Sequence, residues 1–214
     1  MKKITIELNH QSIKNAQKYL LNLKKQIPKM QQEFLMAVAK WIVRQADIHI
    51  DNSDIGSAVK SEIKRNWHYE ETTKGVKIIN NTNVERKVRG QTETVPLAVL
   101  VEFGVGVVGE NQPHPNASQE GYEYNVPSPS KYAGNYHDDD TWRFITYSTE
   151  NIDLPQGSYE TWQMGSGALK IITKGANGVW YAYNAIVDAQ MELTKSGGGE
   201  IGKMWEDIKA RYIK

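Results

Sequence analysis

Apolar residues recur at Ile13, Ala16, Leu20, Leu23 and Ile27, at spacings of three and four, and this stripe limits the fold more than any other feature of the chain. Only an α-helix brings residues spaced in this way to one face. A second stripe runs through Met30, Phe34, Ala37, Val38, Trp41, Ile42 and Ala46, and Pro28 stands between the two. Proline removes a backbone donor and disfavours helix at the residue before it, here Ile27. No loop residues accompany it, so the spacing predicts one long amphipathic helix bent at Pro28 rather than a helical hairpin. A chain of 214 residues has enough material to bury such a face without disulfides or a structural metal.

Beyond this helix the period changes. Residues 3–8 alternate and predict an edge strand ahead of it. After the turn-rich stretch 51–56, Ile63, Trp67 and Tyr69 read as one face of a strand, Thr72 to Gly75 as a turn, and Val76 to Ile79 as the returning partner. An apolar run from Val95 closes at Phe103-Gly104. Residues 142–147 and 168–173 are strand-like. Residues 179–193 predict a helix with Val179, Ala182, Ile186, Ala189 and Leu193 on one face. Ser196-Gly197-Gly198-Gly199 then breaks the chain, and Ile201, Met204, Trp205, Ile208 and Tyr212 mark a last amphipathic helix. The predicted class is α+β: an N-terminal amphipathic helix bent at Pro28, an antiparallel sheet with a hairpin, and C-terminal helices. Residues 1–104 and 142–195 form one core domain in this reading. Residues 105–141 are an acidic loop or arm without periodicity, and 196–214 a helical tail after a glycine hinge.

Charge sorts function classes. The total is +1, which argues against a basic nucleic-acid binder and leaves no sequence-specific nucleic-acid contact. The distribution is uneven: residues 1–103 carry 17 basic and 11 acidic groups, 104–160 carry 2 and 9, and 161–214 carry 7 and 5. Alternating blocks of opposite sign are what a homo-oligomer uses to steer and register its neighbours. The chain has no cysteine, so a disulfide scaffold, a thiol nucleophile and cysteine-based metal sites are excluded. Glu7, Asn9 and His10 interrupt any signal-peptide core, and no stretch approaches the ~18 apolar residues of a membrane span. The expectation is an unprocessed, intracellularly made product with no membrane partner.

Catalytic chemistry finds little support. His137-Asp138-Asp139-Asp140 offers four metal-ligating types in a row, but neighbours on an extended chain point to opposite sides, and no calcium-loop glycine or distal glutamate follows. The run reads as an acidic surface turn. His114, between Pro113 and Pro115, has no sequence-local partner and reads as a solvent-facing loop histidine. Gly104, Gly106 and Gly109 have G-x-G-x-x-G spacing, yet Gly109 leads into a Pro/Asn/Gly-rich stretch where a phosphate cradle needs a helix start. No nucleophile elbow, zinc-protease or Walker motif is present. No enzyme activity, cofactor or bound metal is expected. Aromatic usage is unusual, with 6 Trp and 11 Tyr against 3 Phe. Rings with a polar tip favour protein contacts. Trp41, Trp67 and Trp180 are expected in the core. Trp142, Trp162 and Trp205, with Asp138, Asp139 and Asp140, are the expected interface residues.

In their order along the chain these segments resemble a family: the small head–tail joining, or tail-completion, proteins of long-tailed bacteriophages and prophages. The matching elements are the helical region broken at Pro28 (Leu23 to Pro28) and its closing stretch Ala37 to Ala46. A hairpin over 61–80 follows, then Leu100-Val101-Glu102-Phe103-Gly104, and Thr173-Lys174-Gly175 ahead of the C-terminal helix. The chain departs from the pattern at Asp51 to Lys60, which offers only Ile55-Gly56 of a longer Pro/Thr/Gly stretch, and at Val105, where the family commonly has Thr. Lys (20) far exceeds Arg (6), the usage of an AT-rich genome such as that of a phage of low-GC Gram-positive bacteria.

The resemblance implies a non-enzymatic virion protein of the neck or tail top, made in the host bacterial cytoplasm. Its partners would be itself, in a homo-oligomer or ring, and the connector and tail tube or terminator proteins, with passing contact to genomic DNA in the channel. Val101, Glu102, Phe103, Gly104, Thr173 and Gly175 are its family-motif structural residues. Phe103 would anchor its element, Gly104 would allow a sharp exit at positive φ, and Glu102 would accept backbone amides of an adjacent turn or pair with Arg86 or Arg89. The competing readings are a metal-dependent enzyme or toxin-like domain built on His137, Asp138, Asp140 and Glu102, and a host-glycan-binding module using exposed aromatics of 105–165.

Overall fold

Both stripes lie on a single helix, α1 (His10–Asp51), of 42 residues, with Pro28 inside it. The computed structural model describes residues 10–88, 91–124, 136–137, 141–148 and 159–213. The missing N–H of Pro28 deprives the Lys24 carbonyl of its helical donor, on a stretch that is exposed. After α1 come α2 (Ser57–Arg65), β1 (Trp67–Thr72), β2 (Gly75–Asn80), β3 (Val84–Val88), β4 (Gln91–Val95) and α3 (Leu97–Phe103). Then follow β5 (Gly104–Val105), α4 (Gly106–Asn111), α5 (Ala117–Glu120), β6 (Tyr136–His137), β7 (Thr141–Thr146), β8 (Tyr159–Gln163), β9 (Leu169–Thr173) and β10 (Gly175–Asn177). The chain closes with α6 (Tyr181–Thr194), a 3-10 turn (Ser196–Gly198) and α7 (Gly199–Tyr212). The class is α+β. Among the described residues no helix is long and apolar enough to cross a membrane.

The residues divide into two compact units. The first comprises Met1–Ile42, Tyr69–Lys77 and Asp188–Lys214. Here Trp41, Ala189 and Ile201 are buried together, and Phe34, Val38, Ile42 and Met204 pack against them. A buried side chain of this kind contributes about 1.5–3 kcal/mol. The Trp41 indole N–H donates to Glu200 at 2.8 Å, Phe34 meets Trp205 edge-to-face at 5.4 Å, and Arg211 pairs with Glu33 at 2.6 Å. Numbers rise along α7 as they fall along α1, so the two helices run antiparallel.

The second unit comprises Val43–His68 and Ile78–Val187. Ala46 and Ile50 of α1 and Val59 and Ile63 of α2 are buried in it. Asn80 donates its side-chain amide to the Ile63 carbonyl at 2.8 Å, and its oxygen accepts from the Thr82 hydroxyl at 2.6 Å. A four-stranded antiparallel sheet has the order β6-β7-β9-β8, with Trp142 opposite Thr173 and Thr146 opposite Leu169. Its inner strand β9 carries Ile171, wholly buried. Three two-stranded pairs, β1–β2, β3–β4 and β5–β10, complete the described strands.

Four expectations need correction or lie elsewhere. Ile63 belongs to helix α2, and the hairpin strand starts only at Trp67. A short apolar window fits either period, and the Asn80 contact favours the helix. Residues 105–124 are not a bare loop: they hold β5, α4 and α5, and His114 and Ala117 are buried among them. The buried side of α6 is Tyr181, Ala185 and Ala189, whereas Ile186 and Leu193 are exposed. Ala189 is on the expected face, but the inward side also carries the buried Glu192, which an apolar pattern does not place there. The strand expected over 3–8 lies outside the described residues.

Candidate functional site

Helix α3 ends at Phe103, and from there the chain is joined to residues some 75 positions later. The Val101 and Glu102 carbonyls accept the N–H groups of Val179 (2.8 Å) and Trp180 (3.2 Å). Gly104 turns the backbone at φ +85° and enters β5, where it lies opposite Asn177, with Val105 opposite Ala176. A Cβ at Gly104 would stand 2.5 Å from the Gly178 nitrogen and 2.7 Å from the Ala176 oxygen. Gly175, at φ +114°, has the same constraint from the other side, since a Cβ there would run into the Val105 carbonyl. Both glycines are needed for backbone approach as well as for positive φ.

Glu102 occupies the centre of this junction and is only 7% exposed. Its carboxylate accepts the N–H of Ala182 through Oε2 and that of Tyr183 through Oε1, each at 2.9 Å. These are first-turn amides of α6, which have no partner within their own helix and lie at the positive end of its dipole. Trp180, just before the helix, is at φ +55°, the only non-glycine residue at positive φ among those described. Oε1 also lies 3.1 Å from Nε2 of His114, which is 4% exposed. The other ring nitrogen, Nδ1, accepts the Asn116 N–H at 3.0 Å. An acceptor nitrogen carries no proton, so the network fixes the neutral tautomer with its hydrogen on Nε2, donated to Glu102.

Aromatic rings wall the pair. Phe103 stacks on Tyr122 at 4.5 Å and lies 4.3 Å from the His114 ring, and Tyr183 and Trp180 meet that ring edge-on at 5.4 and 5.9 Å. The Tyr124 hydroxyl accepts the His114 backbone N–H at 2.6 Å, and the Tyr122 hydroxyl donates to the Gly104 carbonyl at 2.6 Å. Burial, and secondarily the neighbouring Tyr124, pushes the Tyr122 hydroxyl up to about 12. Burial raises Tyr181 further, with the Glu102 charge adding to it, while its hydroxyl donates to the Ala98 carbonyl at 3.0 Å. The Trp180 indole N–H is buried without a hydrogen-bond partner among the described residues.

A carboxylate beside a histidine is also the pairing that orients a general base. A base needs a free lone pair directed at a substrate proton. Here Nδ1 is occupied by a backbone amide, Nε2 by Glu102, and the carboxylate by three donors. The arrangement holds a fold junction in place. Among the described residues no three His, Asp or Glu side chains gather as a metal ion would require. The G-x-G-x-x-G stretch does pass from a strand into a helix, contrary to the expected loop, because Gly109 lies within α4. The Gly106 N–H already donates to the Tyr124 carbonyl (3.1 Å) and that of Val108 to the Lys174 carbonyl (3.3 Å), so they are not free for a phosphate.

The structure therefore brings Val101, Glu102, Phe103 and Gly104 together with Gly175. Thr173 adjoins them: its buried hydroxyl accepts the Gly175 N–H at 3.1 Å. Glu102 does accept backbone amides, but from α6 rather than an adjacent turn. The Arg86 side chain and Arg89, the alternative partners, lie outside the described residues, as do Asp138, Asp139 and Asp140. Among the tryptophans, Trp162 is 60% exposed on β8, Trp205 is half-buried against Phe34, and Trp142 is described only through its backbone in β7. Trp41 is in the core as expected. Trp67 and Trp180 are half-buried, Trp67 donating to Asp47 at 3.0 Å. Sequence reasoning missed His114, which is buried rather than solvent-facing. Its one signal was the flanking Pro113 and Pro115, which stiffen the backbone on both sides. No family model, curated protein sequence or solved structure matches the chain.

Proposed function

We propose that this chain is a non-enzymatic structural subunit of the neck or tail top of a long-tailed phage, joining the head connector to the tail as a homo-oligomer. The observation that carries the reading is the junction itself. The two stretches on which the family resemblance rests, 101–104 and 173–175, are about 70 residues apart and pack as one hydrogen-bonded unit. Each polar side-chain atom of Glu102 and His114 already has a hydrogen-bond partner within the junction. Such a unit suits a subunit that carries mechanical load between two larger assemblies. The alternating charge of the three segments supports self-association, since the acidic 104–160 segment of one copy can face the basic 1–103 segment of the next.

Mass spectrometry of purified particles from the phage or prophage encoding this chain tests the reading. The chain should be present in stoichiometric amount. A deletion should yield filled heads and separate tails under the electron microscope. Intact tailed particles from the deletion strain would sink the proposal.

A further inference from the structure

The apolar seam of α1 is longer than the part of it that this fold covers. Ile13, Ala16, Leu20, Leu23, Ile27, Met30, Phe34, Ala37 and Trp41 alternate steps of three and four without a break. That is a 3.5-residue repeat, the a/d seam of a coiled coil, and Val38 and Ile42 widen it only beyond Met30. From Met30 onward the seam is met within its own unit. Met30 and Trp41 are buried, Phe34 lies on Trp205, and the last turn of α7 reaches α1 at Glu33 through Arg211. Among the described residues the seam before Met30 has less of that cover: Ile13 is 42% exposed, Leu20 57% and Ile27 42%, with Ala16 and Leu23 half-buried.

The charges around this open part discriminate between occupants. There is no acidic residue between His10 and Gln32, and five lysines fall there. An acidic partner helix would require those lysines at the positions flanking the seam. Lys14, Lys18, Lys25 and Lys29 instead sit on the outer positions. Within 13–27 the flanks are Gln17, Tyr19, Lys24 and Gln26, with Lys24 the single charge. Two identical helices can therefore close on this seam without setting rows of like charge against each other, while the outer lysines stay in water. We propose that residues 13–27 of α1 form an apolar subunit contact of this protein, separate from any charge-steered one, closing helix-to-helix on the same segment of a second copy. The inference rests on the proposed function only for self-association, and it stands or falls without reference to virions.

The test uses the full chain, in sedimentation over a wide concentration range. The wild type should associate, and the association should persist at 1 M salt, where the screening length is only about 3 Å. Leu20→Glu with Ile27→Glu should weaken it by at least about a hundredfold. Both side chains are already exposed in the subunit, so the variant should keep the wild-type far-UV circular dichroism and unfold cooperatively, at a temperature lowered only by the lost association. Lys18→Glu, on the outer side, should leave association intact. A wild type monomeric at every concentration, an oligomer that survives the double substitution, or one that dissociates in high salt would each overturn the inference. Absence from virions would overturn the proposed function alone.

Discussion

Two carboxylates in this molecule hold the starts of two C-terminal helices, and they reach them over very different lengths of chain. Glu192, at the end of α6, accepts the N–H of Glu200 in the first turn of α7 at 2.6 Å, eight residues ahead, and pairs with Lys195. Glu102 accepts the first-turn amides of α6 from 80 residues away, beside a neutral histidine and inside an aromatic wall. Physically the task is the same: donors that a helix cannot satisfy itself meet a negative charge at the positive end of its dipole. The surroundings differ. The Lys195 ammonium and the Glu200 amide hold the Glu192 carboxyl below its ordinary range, and the lysine reaches out into solvent. Both carboxylates are themselves buried, Glu102 at 7% and Glu192 at 8% exposure, but the His114 beside Glu102 is buried too, so losing Glu102 would leave a buried donor unmet.

That difference can be broken or sharpened by substitution. Glu102→Ala should have the largest effect, a loss of about 3–5 kcal/mol in urea unfolding, because two helix amides and the His114 N–H lose their acceptor away from water. Glu102→Gln keeps an acceptor oxygen and should recover part of that loss. A cost below about 1 kcal/mol for the alanine variant would mean the junction is not the structural centre described here. Gly104→Ala comes next, at about 2–3 kcal/mol, combining positive φ with a Cβ 2.5 Å from the Gly178 nitrogen. A Gly104→Ala protein as stable as wild type would show that β5 and β10 can separate at little cost.

Two pH effects follow in decreasing size. Tyr122 and Tyr181 ionise less readily folded than unfolded, so the stability they represent is complete below pH 10 and is lost as pH rises from 10 through the folded value, about 12 for Tyr122. Near-UV circular dichroism should report unfolding over that range. Tyr122→Phe should flatten its lower part, and an unchanged alkaline profile in that variant would count against the assignment. For Glu192 the sign is reversed. Its carboxyl is lowered from 4.5, so its contribution is present above pH 4.5 and is lost as pH falls below it. Glu192→Gln should lower stability slightly at neutral pH, where that contribution is complete, and should make acid unfolding less steep.

Local pattern made several elements legible. The three- and four-residue spacing of α1, the turn at Thr72 to Gly75, strands β7 and β9 and the two C-terminal helices all follow from a period or a turn residue within one short window. Gly104 was readable as a positive-φ exit for the same reason: an apolar run stopping at a glycine is a local signal. The misreadings cluster where the window contains two answers. Ile63 sits in a stretch too short to separate helix from strand, and the inward side of α6 includes Glu192, so the apolar pattern found Ala189 but not Tyr181 and Ala185.

The sequence by itself determined the α+β class, the length of the first helix and the breaks in the chain, because propensity and periodicity act between residues a few positions apart. Only the tertiary structure decided that Glu102 would cap α6, that His114 would be its buried partner, and that 101–104 would meet 175–183. Those choices depend on which distant surfaces come to exclude water together, and a buried carboxylate then requires donors from whichever backbone is brought beside it. No spacing within a window records that meeting.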